Sequence, residues 1–422
     1  MLRPRGREPV EAVGGARGAV LRVAVGLALL LVTACGDLGG RAHTEARPQV
    51  SRAVVKVTPG NATENVAPAD ELRVDAIHGE LTRVAVRGSD GRVVPGRFSR
   101  DRRSWLPDHP PALATAYTVD AVAVDASGRE AARHSTFTTL VPKDTFKGFY
   151  TPEHGSTVGV GMPVSVRFNR PITDRAAVER GITVTAEPAV EVAAHWFGNR
   201  RLDVRPREYW LPGTRVTLRM RLKDVEGGPG VYGTQTRTVR FTVGRSMVST
   251  VDAAAHTMTV RRNGRVVKVL PITAGSPRNT TYNGRMVITD RYELTRMNGD
   301  TVGFGGEYDI PDVPHAMRLT DSGTFIHGNY WAPQETFGTA NVSHGCIGLQ
   351  DVKSGDREAK GVVPAARSLT GRTPAAWFYT HSMSGDVVEV VNSHDRTVAA
   401  DNGLNGWNMD WPTWVAGSAL TR

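Results

Sequence analysis

Cysteine is almost missing from this chain: Cys35 and Cys346 are the only two in 422 residues. A disulfide-stapled scaffold and a cysteine-rich zinc fold are both excluded. Lysine is also scarce, with seven Lys among the 52 basic residues and Arg making up the rest. No Lys/Arg run exceeds two residues. Ala, Arg, Gly and Val are heavy throughout, which fits a GC-rich coding bias better than a built basic patch. The net charge of +10 therefore implies no nucleic-acid partner. Long apolar runs are missing too. The stretch Val23 to Ala34 has twelve residues. At ~1.5 Å each it spans about 18 Å, too short for a bilayer. What is present is 40% hydrophobic residues, enough to build cores, so a disordered chain is excluded. The 45 Gly and 25 Pro have no collagen period and favour turns and short strands.

The short apolar run follows Arg3, Arg5, Arg7, Arg17 and Arg22. A basic segment and then a short apolar one reads as an export signal over residues 1–34. Its end, Val32-Thr33-Ala34-Cys35-Gly36, resembles the bacterial lipobox. That resemblance implies a lipid on Cys35 and a mature chain anchored to the outer face of the cytoplasmic membrane, facing the wall. The other reading is an ordinary signal with a chance Cys near its end. Five Arg and two Glu leave with residues 1–34, which takes the charge from +10 to +7 and suits an anionic wall. Residues 35–52 carry no apolar periodicity and read as the lipidated Cys and a tether.

From Val54 to Gly244 the chain repeats weakly. Trp105-Leu106-Pro107 returns as Trp210-Leu211-Pro212, and Phe137-Thr138 as Phe241-Thr242, at offsets of 105 and 104. Both copies run strand, Gly-containing turn, strand, with period-2 alternation. A period near 100 residues is the size of an immunoglobulin-like sandwich. Two tandem Ig-like β-sandwiches are expected, at 53–142 and 143–245. They act as spacers, unless an exposed Trp105 or Trp210 stacks on wall sugars. A new pattern starts at Met247. Asn263-Gly264 between two alternating runs is a strong hairpin signal. Short β segments continue to about residue 392, with one polar stretch near 351–368 that reads as helical. In the tail, 393–422, Trp407, Trp411 and Trp414 share one helical face and are expected to pack on the preceding domain.

The chemistry sits in Phe325-Ile326-His327-Gly328-Asn329-Tyr330-Trp331 and Val342-Ser343-His344-Gly345-Cys346-Ile347-Gly348. With Cys35 lipidated, Cys346 has no disulfide partner. A structural free Cys is normally surrounded by apolar side chains. This one is flanked by glycines that let backbone N–H groups approach a ligand. A thiol is a nucleophile as its thiolate, with an ordinary pKa of about 8.5, and an imidazole in reach takes the proton. Cys346 is the candidate nucleophile and His327 the candidate base. Developing negative charge on a substrate carbonyl needs donors, for which the main-chain N–H groups of His344, Gly345 and Cys346 are available. A metal site built from Cys346, His327 and His344 has only three ligands, so no metal or cofactor is expected.

The pattern resembles the catalytic signature of the L,D-transpeptidases, the YkuD fold. In that family a His is followed, after about fourteen to seventeen residues, by Ser/Thr-His-Gly-Cys. Here the gap from His327 to Ser343 is fifteen. Val158 to Val164, Arg205 to Thr214, Ala376 to Val391 and Gly403 to Asn408 are similar to the same enzymes of high-GC Gram-positive bacteria. The resemblance implies a mainly β chain: two tandem Ig-like β-sandwiches, a YkuD-type β-rich catalytic domain at 246–392 and a Trp-rich C-terminal tail. It implies that the Gly328 carbonyl orients His327 and that the Tyr308 hydroxyl helps bind the oxyanion. Ser343 and Trp331 complete the substrate-facing set.

It further implies acyl transfer on peptidoglycan stem peptides. Cys346 forms a thioester on a tetrapeptide stem, D-Ala leaves, and a neighbouring stem closes a 3→3 cross-link. β-Lactams, carbapenems above all, are then covalent inhibitors. Two alternatives remain: an L,D-carboxypeptidase that sends the thioester to water, and a non-catalytic wall-binding lipoprotein. Three features depart from the family. Gly348 stands where Asn or Arg is common, so a substrate contact is missing or moved. Thr281-Tyr-Asn-Gly284 replaces a Thr-Pro-x-Gly-like stretch. The segment from Asp351 to Arg372 is long enough to form a flap beside the site. His315 falls in the loop before the site and is a further candidate for substrate contact.

Overall fold

The alternation read along residues 54–243 produces two sandwiches, seen in a computed structural model that describes residues 50–68, 70–353 and 372–421. The export signal, Cys35 and nearly all of the tether lie outside the described residues, as does most of the 351–368 stretch. No helix among the described residues is long and apolar enough to cross a membrane.

In the first sandwich one four-stranded sheet orders Val54–Thr58, Arg73–Ile77, Ser104–Pro107 and Gly96–Phe98. Thr63–Val66, Glu130–Thr139, Ala116–Val124 and Glu80–Gly88 form the other. Along Ala116–Val124, Tyr117, Val119 and Ala121 point inward. Tyr117 sits opposite Phe137 in register, and their rings stack at 5.1 Å.

The second sandwich pairs Gly148–Thr151, Val164–Phe168, Arg201–Pro206 and Val192–Phe197 in one sheet. Thr157–Val158, Thr236–Val243, Arg215–Arg221 and Ile182–Glu187 form its partner. Trp105 and Trp210 are core residues of the two sandwiches, 3% and 2% exposed. Neither can stack on a sugar.

The third domain is one nine-stranded mixed sheet. Its order is Gly284–Val287, Val387–Val391, Met247–Asp252, Thr257–Arg262, Arg265–Thr273, Ile347–Gln350, Phe325–Asn329, Asp309–Arg318 and Arg291–Asn298. The expected hairpin is present, with Asn263 and Gly264 at φ of 48° and 79° as a type I′ turn requires. Helix Pro374–His381 packs Ala375 and Phe378 into a core of Met258, Ile272, Ile326, Ile347 and Leu349.

The tail corrects the expectation that it packs on the third domain alone. Trp407 belongs to the core of the second sandwich, with Leu404 and the third domain's Val287. Trp407 Nε1 donates to the Gly161 carbonyl at 2.7 Å, and Trp414 Nε1 to the Ala193 carbonyl at 2.9 Å. The three indoles do converge, but from a 3₁₀ turn at Gly406–Asn408 and a separate helix at Trp411–Ala416. Their focus is Arg205 of the second sandwich. Its guanidinium carbon lies 4.7, 5.5 and 4.3 Å from the ring centres of Trp407, Trp411 and Trp414. Its Nη atoms donate to the carbonyls of Pro206, Arg207, Gly406 and Met409. A buried cation ringed by three indoles and four carbonyls holds the tail against the second sandwich. Burial pulls the Arg205 pKa down to about 10, so it stays charged at neutral pH.

Arg245 and Asp386, paired through both oxygens at 2.6 and 2.9 Å, close the same junction. Arg205→Ala should empty the indole cage and strand four carbonyls. A loss of about 2–4 kcal/mol is expected in denaturant unfolding, with earlier proteolytic cleavage in the Gly403–Thr421 tail.

Candidate active site

The site rests on one parallel strand pair. Phe325–Asn329 lies beside Ile347–Gln350, with Ile326 opposite Ile347 and His327 opposite Gly348. Cys346 thus enters level with Phe325, two positions before Gly348. Alternation along a strand places Cys346 and His327 on one face. Both line a cavity of about 420 Å³, with Tyr308, Asn329, Trp331 and His344. The turn that presents the thiol depends on Gly345, whose φ of 108° is closed to ordinary L side chains.

Ser343 braces this turn from within. Its hydroxyl donates to the Cys346 carbonyl at 2.6 Å and accepts the Gly345 N–H at 3.1 Å. Gly345 is therefore not a free oxyanion donor, which corrects that expectation. The short hydroxyl of Ser343 reaches the N–H first. The N–H groups of His344 and Cys346 remain the main-chain candidates.

His327 is 4% exposed. Its Nδ1 meets the Gly328 carbonyl at 3.0 Å. A carbonyl only accepts, so Nδ1 carries the proton and Nε2 is left as the basic atom. Burial holds the imidazole below its ordinary pKa, against opposing contributions from the Gly328 carbonyl and the Asp351 carboxylate. Burial also pushes the Cys346 thiol up to about 11, only partly offset by the Phe325 N–H. The residue opens on the cavity while its sulfur is desolvated. The thiol donates to the Gly323 carbonyl at 3.6 Å. Both shifts favour a neutral pair, Cys–SH and imidazole, over a preformed thiolate–imidazolium pair.

The cavity walls come from several elements. Trp331 is 43% exposed and stacks on the His327 ring at 5.5 Å and 14°. His344 Nε2 meets the Glu307 carboxylate at 2.8 Å, and its ring packs on Phe304 and Tyr308. That ties the 299–308 turn to the His344-Gly-Cys346 segment. Burial, with the nearby Cys346 and Glu307, pushes the Tyr308 hydroxyl up to about 12, so it remains a proton donor.

Comparison with known proteins matches residues 246–390 to the L,D-transpeptidase catalytic domain and residues 63–226 to a bacterial Ig domain. The Ig match runs across both sandwiches. L,D-transpeptidase 2 of Mycobacterium tuberculosis is 34% identical over 353 residues, 82% of this chain and 80% of the relative. The chain belongs to the L,D-transpeptidase family. L,D-transpeptidase 5 of the same species is 32% identical, over 86% of this chain and 76% of the relative. A solved L,D-transpeptidase structure in complex with imipenem aligns at 29% identity and a TM-score of 0.47, covering 59% of this chain and 100% of that one.

Measured against this family's signature, the fold gathers Cys346, His327, Tyr308, Ser343, His344 and Trp331 around one cavity. Gly328 contributes its carbonyl from behind. His315 is not in a loop and does not line the cavity. It lies within Asp309–Arg318 at φ 51°, and its Nδ1 meets the buried Asp351 carboxylate at 2.7 Å. The proposed flap falls mostly outside the described residues. Sequence reading missed Asp351, Asn329, Glu307 and the Gly323 carbonyl. Asn329 stood inside the quoted motif, but nothing in sequence marks a carbonyl as the thiol's partner.

The neutral pair fixes the expected pH behaviour. A lowered imidazole pKa keeps His327 unprotonated to below pH 6.5, so the acid limb of kcat/KM should lie below that value. Without substrate, alkylation of Cys346 by iodoacetamide should climb with pH toward about 11. A rate already flat at pH 8 would mean a preformed thiolate.

Proposed function

We propose that this chain is a peptidoglycan transpeptidase that makes 3→3 cross-links through a thioester on Cys346. The observation that carries the reading is the placing of His327 on one strand and of Cys346 just before its parallel neighbour Ile347–Gln350, with both residues lining one cavity. The substrate is the tetrapeptide stem of peptidoglycan, and the acyl carbonyl belongs to its diaminopimelate residue. As that carbonyl binds, the thiol turns from Gly323 to His327. Nε2 takes its proton while sulfur attacks carbon. Negative charge on the carbonyl oxygen meets the Tyr308 hydroxyl and the N–H groups of His344 and Cys346. The C–N bond then breaks, His327 returns the proton to nitrogen, and D-Ala leaves. The side-chain amine of a neighbouring stem gives its proton to His327, attacks the thioester and restores the thiol. The same thiol opens a β-lactam and keeps its acyl group, so carbapenems are expected inhibitors.

The N-terminal pattern supports a lipid on Cys35 and a position on the outer face of the cytoplasmic membrane. The first sandwich has its own core, consistent with a spacer between membrane and catalytic domain.

Mass spectrometry of products tests the reaction. Purified protein with disaccharide-tetrapeptide should yield a dimer that has lost one D-Ala. Monomeric tripeptide alone would favour the carboxypeptidase. Cys346→Ala should lower turnover by roughly a thousandfold or more and abolish the carbapenem mass adduct. Cys35→Ala should move the protein from the membrane fraction to the soluble one.

A further inference from the structure

Asn329 is 4% exposed, lines the cavity, and half of its amide is unused. Oδ1 accepts the Ala332 N–H at 3.0 Å. An N–H can only donate, so this bond decides which end of the amide is oxygen. Nδ2, with two protons to give, has no hydrogen-bond partner among the described residues. A Cβ on residue 348 would stand 3.2 Å from that nitrogen and 2.8 Å from Thr273 Cγ2. Glycine at 348 therefore leaves the space Nδ2 occupies. A donor amide held in place through its oxygen and left free at its nitrogen is set to bond an acceptor carried by a ligand.

Position along the strands says which part of the ligand that is. Cys346 is level with Phe325, His327 with Gly348, and Asn329 with Gln350. The three side chains follow one another at two-residue steps, about 6.6 Å each, with the base in the middle. The acyl carbon must lie at the sulfur. The departing or entering amine must lie at His327, because that imidazole exchanges a proton with it in both half-reactions. Whatever is bonded to the amine on its far side therefore extends toward Asn329. In D-Ala that group is a carboxylate on the carbon next to nitrogen. The acceptor amine of diaminopimelate likewise sits on a carbon bearing a carboxyl group. Among the described residues, no Lys or Arg lines the cavity, and Asn329 offers a neutral donor there. A neutral amide also holds the departing residue less firmly than a cation would.

We propose that Asn329 is a specificity-determining residue whose Nδ2 binds the carboxylate adjacent to the reacting amine, on the leaving D-Ala and on the incoming acceptor. This rests on the transpeptidase reading above. It also accounts for the contact missing at Gly348: the strand opposite supplies the amide.

The test compares two stem tetrapeptide substrates in the purified full chain. One ends in D-Ala, and in the other a methyl replaces the terminal carboxylate, giving an isopropylamide. Wild-type protein should favour the acid by about tenfold or more in kcat/KM, since a site built to bond a group rejects the analogue lacking it. Asn329→Ala should bring the ratio of the two rates near one. Asn329→Asp, nearly isosteric, should push it lower still by charge repulsion. Each variant is its own control, because a smaller folded fraction scales both rates and leaves the ratio readable. A wild-type ratio retained in both variants would overturn the assignment. So would a wild-type enzyme indifferent to the carboxylate. If wild type processes neither substrate, the transpeptidase reading fails and this one with it, a result distinct from activity with an unchanged ratio.

Discussion

The parallel pairing of Phe325–Asn329 with Ile347–Gln350 is the constraint on which the site depends. Parallel neighbours need a crossover. The crossover here carries Trp331, Ser343 and His344 to the rim of the cavity that the strands open into. Because side chains alternate, a one-residue slip of the register would turn Cys346 away from His327. Ile326, Ile347 and Leu349 hold that register, all fully buried beneath the sheet. The face that lines the cavity is thus fixed by the face that does packing.

Electrostatically the pair is held in reserve. Burial raises the thiol and lowers the imidazole, so each group is neutral before substrate arrives. Asp351 lies behind Gly328, bonded to His315 and to the Thr373 hydroxyl, and its charge partly opposes the lowering of the His327 pKa. A neutral thiol resists oxidation better than a thiolate. The 299–308 turn is tied to His344 through Glu307, next to the cavity that Tyr308 and Cys346 both line.

The second sandwich is more than a spacer for this domain. Val287 of the nine-stranded sheet and Leu404 and Trp407 of the tail enter its core. Gly159 and Gly161 bond backbone to backbone with Ser384 and Gly385. The strand that leads into the junction, Val387–Val391, lies two places from the Thr257–Arg262 hairpin strand, so the junction supports the sheet that carries the site. The first sandwich keeps a separate core and meets the second through contacts such as Leu113 N–H on the Asp224 carboxylate.

Much of this was legible in order. Alternation named the strands, Asn263-Gly264 named its hairpin, and the spacing of His327 from Ser343-His-Gly-Cys346 named two residues that meet at one cavity, because each is a local property of the chain. Three things were decided only by tertiary structure. The Trp tail went to Arg205, a buried cation two hundred residues away whose pull no local pattern reveals. The Gly345 N–H went to Ser343, a competition between neighbours that geometry alone resolves. The protonation of Cys346 and His327 followed from burial, which belongs to the packed domain. Residue type and spacing select the chemistry available; desolvation and strand register decide which atoms are left free to perform it.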